Sequence, residues 1–489
     1  MKKILLSSVF ILTSIISVAQ TDSVDQPVID SVILHPDTVF DSGSFRGLYN
    51  KYGGLLNDDP LYNPKAPASI VSSRVLSSNI FNWALNRYYF KVEWTSSGMP
   101  DWKRNFSKGG EWDVDGFGIN FLGHPHTGSY YFNVARSNGY SFWQSLPFAI
   151  QGSVVWEWLG ENERPSYNDM INTPLSGAFL GEVFYRLTSN ILDDRKRGSE
   201  RVVRESITAL INPTRSINRL TSGKMFRVTN KEVYQKEPIH VSMSVGMHKV
   251  NPGRDKLNDY DEGQTNGMMQ MLIDYGDPFE TRERNPYDIF RLRIELSEGD
   301  DDKLIDNVMG WGLLKGKTIR GRKLKGFFQH YDFWRYNEVF EIGSMGFGAG
   351  MINKVPMGKK LQLRTVIHGA VIPLAGNNNP YLPDTTESRS YNFGGGLQTK
   401  LETSLEIANR VTLGVRAYQY FITTYTGTAG NSLVGIIKPS VSVRIFSNLH
   451  LGLEHHIYHN DRYRTRGREK FHITRTEQKA FLQWRFREY

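Results

Sequence analysis

From about Ile239 to the C-terminus the chain alternates apolar and polar residues, and this period of two most limits what it can fold into. In FRLRIELS, Phe290, Leu292, Ile294 and Leu296 alternate with Arg291, Arg293, Glu295 and Ser297. RVTLGVRA places Val411, Leu413, Val415 and Ala417 on one face. NLHLGLEHHI sets Leu449, Leu451, Leu453 and Ile457 against His450, Glu454 and His456, and the final KAFLQWRFREY alternates Ala480, Leu482, Trp484 and Phe486. Successive side chains of a strand point to opposite faces, so each segment reads as a strand with one apolar face. The pattern predicts about twelve strands (10–14), near 239–250, 267–275, 287–297, 305–315, 325–335, 338–352, 360–373, 391–407, 410–422, 433–446, 449–459 and 471–486.

The N-terminus explains where such a chain goes. MKKILLSSVFILTSIISVAQ has Lys2 and Lys3, an apolar run from Ile4 to Ile16, and Ser17 and Ala19 in a small-x-small pattern, which reads as a secretory signal peptide over 1–19. Its loss lowers the formal charge from +9 to +7. There is no cysteine, so neither a disulfide framework nor a lipid-modified N-terminal cysteine is available. No later segment is an uncharged apolar run long enough for an ordinary transmembrane helix. Yet aromatics make up 12% of the chain, 45 residues are glycine, and the mean hydropathy is −0.43. An exported chain of this kind fits an outer-membrane β-barrel, whose strands carry their apolar residues at alternate positions.

The connections provide a separate check. Counting back from the C-terminus, HNDRYRTRGREK is long, FSN short, TYTGTAGN fairly long, IANR short, LAGNNNPYLPDTTESRS long and NKVPMGK rather short. This is the alternation of a barrel with both ends in the periplasm. The chain therefore divides into a signal peptide (1–19), a flexible exported tail (20–75), a helical module (76–235) and a transmembrane barrel (236–489).

Within the module, SSNIFNWALNRYY (77–89) reads as a short amphipathic helix. Ser141 is a helix N-cap for a segment running to about Leu159, apolar nearly all round. A second helix begins near Ser166 or at Thr173-Pro174. Its Gly177 and Gly181, four apart, let another backbone approach closely. A third piece spans Arg201 to Leu210. Helices this apolar need shelter, and the expectation is that they plug the barrel lumen or cap its periplasmic mouth.

The runs DVDGFGINFLGHPHTGSYYFNVARSNGYSFW and WEWLGENERPSYNDMINTPLSGAFLGEVFYRL resemble the bacterial family called domain of unknown function 3943, over about residues 111–190. The resemblance implies an exported Gram-negative envelope protein and carries no activity with it. Glu157, Glu161, Arg164, Ser166, Asp169, Asn172, Gly177 and Gly181 also resemble the cadence of VanZ-like membrane helix hairpins.

Chemistry concentrates in one polar knot. His124 and His126 flank Pro125, which favours an extended segment in which both imidazoles point the same way. Glu157 sits in an apolar helix with Glu161 one turn on, followed by Arg164 and Asp169. His124, His126, Glu157, Glu161, Arg164 and Asp169 thus form a candidate His/carboxylate site, matched to no established zinc signature. The same residues also read as structural: Ser166-x-x-Asp169 resembles a capping box, and Glu157 has Arg136 or Arg164 as a salt partner. Two functions remain open. One is an envelope barrel with a gating or docking plug; the other is a barrel-bound enzyme acting on envelope lipid or glycan. No cofactor is implied and the metal content is not readable. The expected contacts are outer-membrane lipids or lipopolysaccharide and a periplasmic protein partner, with no nucleic acid. KGKTIRGRKLKG (315–326) reads as a solvated turn or a patch for anionic headgroups.

Overall fold

A computed structural model describes residues 49–251, 265–298, 304–336, 339–379, 381, 389–463 and 470–488. The signal peptide and the first part of the tail lie outside these residues. Twelve antiparallel strands close into a barrel. They are β1 (Ile239–Asn251), β2 (Thr265–Tyr275), β3 (Phe290–Ser297), β4 (Ile305–Ile319), β5 (Lys323–Tyr336), β6 (Phe340–Met357), β7 (Leu361–Asn378), β8 (Tyr391–Ile407), β9 (Val411–Thr426), β10 (Asn431–Arg444), β11 (Leu449–Tyr463) and β12 (Phe471–Glu488). Each pairs with its sequence neighbours, and β12 returns to β1 in continuous register from Ile239↔Glu488 to Asn251↔Thr476. All twelve predicted segments are strands. The connections 320–322, 358–360, 408–410 and 445–448 lie on the rim that holds Ile239 and Glu488. The opposite strand ends, at Asn251, Thr265, Asn378, Tyr391, Tyr463 and Phe471, form the far rim.

Contacts between strands that are not neighbours identify the inner face, because they can form only across the lumen. Lys400 on β8 reaches both carboxylate oxygens of Asp332 on β5, at 2.6 and 2.7 Å. Arg291 on β3 pairs with Glu402 on β8, and Lys479 on β12 with Glu295 on β3. Trp334 packs on Tyr418 and Phe340 on Tyr458, with ring centroids 6.1 and 5.9 Å apart. Charged and aromatic side chains thus fill the lumen, as a barrel of this size allows. The alternate positions face outward and are apolar: Val245, Met247, Leu397, Leu413, Phe421, Leu451, Leu453 and Trp484 are all exposed.

Among the described residues, seven α-helices precede the barrel: α1 (Ala68–Ala84), α2 (Met99–Lys108), α3 (His124–Arg136), α4 (Phe142–Val155), α5 (Tyr167–Ile191), α6 (Gly198–Ile211) and α7 (Pro213–Thr221). Ser141 caps α4 as predicted, in a capping box with Gln144. Helix α5 starts at Tyr167, which leaves Pro174 inside it rather than at its first position. Helix α1 begins at Ala68, inside the stretch expected to be tail. The turns before it are tied down: Asn50 Nδ2 donates to the Lys236 carbonyl at 2.9 Å, and Asp58 accepts from the Gln235 amide at 2.7 Å.

The helices do not plug the lumen. They pack on the outer wall. Phe179 of α5 stacks on Tyr331 and Phe117 on Phe333, both with centroids 5.5 Å apart. Gln329 donates to the Leu175 carbonyl at 2.7 Å, and Tyr331 to the Phe121 carbonyl at 2.5 Å. Gln329, Tyr331 and Phe333 alternate along β5 with His330, Asp332 and Trp334, and the latter two face the lumen. The expectation of a plug fails because the interior is already occupied by the barrel's own side chains. The apolar partner the helices need is the outward face of the strands. Phe121 lies over Gly343 and Gly376, where an added Cβ would sit 2.1 and 2.2 Å from its ring. The bundle crosses the wall as a diagonal band, from Phe290 and Leu292 near the terminus-side rim to Tyr391 and Phe393 at the far rim.

Inside the bundle, α3 and α5 cross at glycines. A Cβ on Gly128 would lie 1.8 Å from the Thr173 carbonyl oxygen, and one on Gly177 would lie 2.5 Å from the Gly128 carbonyl carbon. A buried ion network fixes the other end: Glu182 binds Arg136 and Arg186, each at 2.7 Å, and Arg186 reaches Asp288 at 3.1 Å. On the side away from the barrel, α4 exposes Trp143, Pro147, Ile150 and Val154, and α1 exposes Ile70, Leu76, Ile80 and Phe81. These are helix-spaced apolar stripes that continue the outward apolar face of the strands.

Candidate functional site

Three helix ends meet at the far-rim end of the bundle, and each delivers one side chain. Helix α3 opens with His124, directly after a widened π-type turn at Ile119–Gly123. Helix α4 runs into a second such turn, Trp156–Gly160, which buries Glu157. Asp169 lies in the first turn of α5. Widened turns of this type recur where a helix presents a functional group. His124 Nε2 stands 3.9 Å from Asp169 Oδ1. One ligating atom from each of His124, Glu157 and Asp169 falls within 4.8 Å of the other two.

The surroundings orient these groups without neutralising them. Glu157 Oε2 accepts the Ser166 amide at 2.9 Å, so the residue braces the α4–α5 connection. Asp169 Oδ1 is buried and has no hydrogen-bond partner among the described residues. Glu161 accepts from Trp156 Nε1 at 2.7 Å. Asn120 donates to Asp113 at 2.6 Å, and Asn172 donates to the Asn120 carbonyl at 2.6 Å. No lysine or arginine pairs with Asp115, Glu157, Glu161 or Asp169 among the described residues. Burial pushes the Asp115 carboxyl up to about 7, with Asp113, Asp169 and Glu163 adding to the rise and His124 opposing it. Burial likewise lifts Glu161 to about 7, helped by Asp169 and Asp115 and opposed by His124 and the Trp156 hydrogen bond.

Of the six residues picked from sequence, the fold gathers His124, Glu157, Glu161 and Asp169. His126 does not join them. The segment is helical, not extended, because Pro125 sits in a first turn, where a missing amide costs nothing. Two residues on a helix lie about 200° apart, so His126 faces away and packs on Tyr130 and Phe184. Arg164 also points elsewhere: it binds Glu111 at 2.8 Å and the carbonyls of Lys108, Gly109 and Gly110. Nor does either arginine proposed for Glu157 reach it, since Arg136 pairs with Glu182. Asp113, Asp115, Asn120 and Asn168 were not singled out. The signal for the first three is the Asp-x-Asp in DVDGFGIN, which reads in sequence as turn chemistry only, and Asn168 carries none.

The sequence profile of the family described as "Domain of unknown function (DUF3943)" matches residues 109–214. That span holds the whole centre. No curated protein matches the chain. Among solved structures, the chain is similar to the COG4313 outer membrane channel from Pseudomonas putida F1, at 7% identity and a TM-score of 0.29, over 51% of this chain and 96% of that one. It is also similar to the outer membrane channel DcaP of Acinetobacter baumannii (8%, TM-score 0.21, 51% and 98%). A third likeness is to the beta domain of the Bordetella autotransporter BrkA (8%, TM-score 0.24, 51% and 99%).

Proposed function

We propose that the protein is exported to the outer membrane, where the barrel serves as a solid anchor and holds the helical bundle against its lipid-facing wall. The observation that carries this reading is the filled lumen, crossed by Asp332–Lys400, Arg291–Glu402 and Glu295–Lys479. A barrel closed in this way is not a diffusion pore. Apolar residues cover the rest of its wall and the outer side of the bundle, so hydrocarbon is the natural solvent for both. No helix among the described residues is long and apolar enough to cross a membrane by the usual criterion. Packing against the barrel removes that requirement, because Glu182 and Arg186 are paired inside the bundle. With both barrel termini in the periplasm, the His124 centre lies at the level of the outer leaflet, where lipopolysaccharide headgroups are its neighbours.

A second reading, an enzyme acting on envelope lipid or glycan, is favoured by one observation. His124, the most accessible of the three ligating residues with a side chain 14% exposed, lies at that headgroup level beside two raised carboxyls. Reconstitution separates the readings. The anchor reading expects no conductance steps in a planar bilayer, and quenching of a cysteine-attached fluorophore at Ile150 by brominated lipid chains. Steady single-channel conductance, or an Ile150 probe quenched only by aqueous iodide, would overturn it. Loss of a lipid change in cells carrying His124→Gln, with the barrel still heat-modifiable on gels, would decide for the enzyme.

A further inference from the structure

We infer that His124, Glu157 and Asp169 bind one divalent transition-metal ion of the zinc or manganese class. The inference does not depend on whether the barrel conducts. An ion about 2.1 Å from each ligand holds its donor atoms roughly 3–4 Å apart. The three donor atoms already lie within 4.8 Å of one another, and His124 Nε2 and Asp169 Oδ1 are 3.9 Å apart. A contraction of at most about 1–2 Å in the widest pair forms the site. Asp169 Oδ1 gives an independent indication. Asp169 is 2% exposed, and this oxygen is turned toward His124 with no donor to satisfy it. A buried carboxylate oxygen without a partner is costly, and a cation beside it removes the cost.

Charge and ligand type narrow the occupant. Asp115 and Glu161 add to the negative potential of Glu157 and Asp169, and His124 is the basic group that faces them. A doubly charged ion fits that balance better than a single proton. One imidazole with two carboxylates suits zinc or manganese, whereas calcium and magnesium favour all-oxygen sets. The hydrogen bond that fixes Glu157 matches what metal centres require of their surroundings: the Ser166 amide donates to it at 2.9 Å.

Full-length protein in detergent, stripped with EDTA, incubated separately with Zn2+ and Mn2+ and then gel-filtered, tests the site by elemental analysis. Wild type is expected to keep one equivalent of at least one of the two. Glu157→Gln and Asp169→Asn are near-isosteric, and each is expected to weaken retention by at least about tenfold to a hundredfold. No retained ion in wild type, or equal retention in both variants, overturns the inference. A measurement on wild type alone covers variants that fail to fold. Diethyl pyrocarbonate should label His124 after EDTA and not when the retained ion is present, with His126 labelling unchanged between the two states. Equal labelling of His124 with and without the ion overturns the site as drawn.

Discussion

At the scale of the residue, the far-rim centre sets a sign for pH dependence. Asp115 and Glu161 have ordinary values of 3.8 and 4.5, and burial raises both to about 7. A raised carboxyl holds its proton more tightly in the folded state. Its contribution to stability is therefore complete below about pH 4 and is lost as pH rises toward 7. The metal-stripped protein is expected to become easier to digest within 109–214 between pH 4.5 and 7.5, and Asp115→Asn with Glu161→Gln should flatten that slope. Identical proteolysis midpoints at the two pH values in EDTA would count against it. The centre was half legible in the sequence. Glu157 and Glu161 stood out because charge in an apolar helix needs a reason, and Asp169 because it follows them in the same polar knot. The two histidines misled, because a proline between them favours an extended chain locally, yet the same proline is well placed in the first turn of a helix, and tertiary packing chose the helix. Asp113 and Asp115 gave no cue, since aspartates beside glycines are ordinary in turns.

At the scale of the element, the crossing of α3 and α5 is the most exacting contact in the bundle. Any side chain at Gly128 or Gly177 enters the opposing backbone. Gly177→Leu is expected to cost at least about 1–3 kcal/mol and to loosen the bundle while the barrel persists. Heat-modifiable gel mobility should stay as in wild type while α3 and α5 become protease-sensitive; a bundle as resistant as wild type would show that the crossing gives way. On the wall, Phe121→Ala removes the ring seated over Gly343 and Gly376, at an expected cost of about 3–5 kcal/mol to bundle docking, read by the same digestion. The elements themselves were largely readable. Period two located every strand, and the Gly177/Gly181 spacing announced a close helix contact. What they pack against was not readable, because an outward strand face is apolar whether lipid or a helix covers it. Tyr331, covered by Phe179, and Leu413, left bare, occupy the same phase of the same pattern.

For the whole molecule, the lumen network carries the stability argument. Lys400→Met strands Asp332, which is 0% exposed, opposite a group that cannot pair with it. The expected cost is about 3–5 kcal/mol, and Asp332→Leu in the same chain should restore most of it. The urea midpoint of the heat-modifiable shift measures both; a Lys400→Met variant as stable as wild type would mean that water enters the lumen. The helical band covers parts of β1–β8 and leaves the outward residues of β9–β12 bare. That asymmetry has a consequence in time. The bundle is synthesised before any strand exists, so on the proposed export to the outer membrane the side chains that rest on the wall travel without it, and a holding chaperone must cover Phe117, Phe121 and Phe179 until the strands beneath them are paired. The bare arc of β9–β12 comes last from the ribosome, and the seam can then shut from that side with nothing already docked in its path.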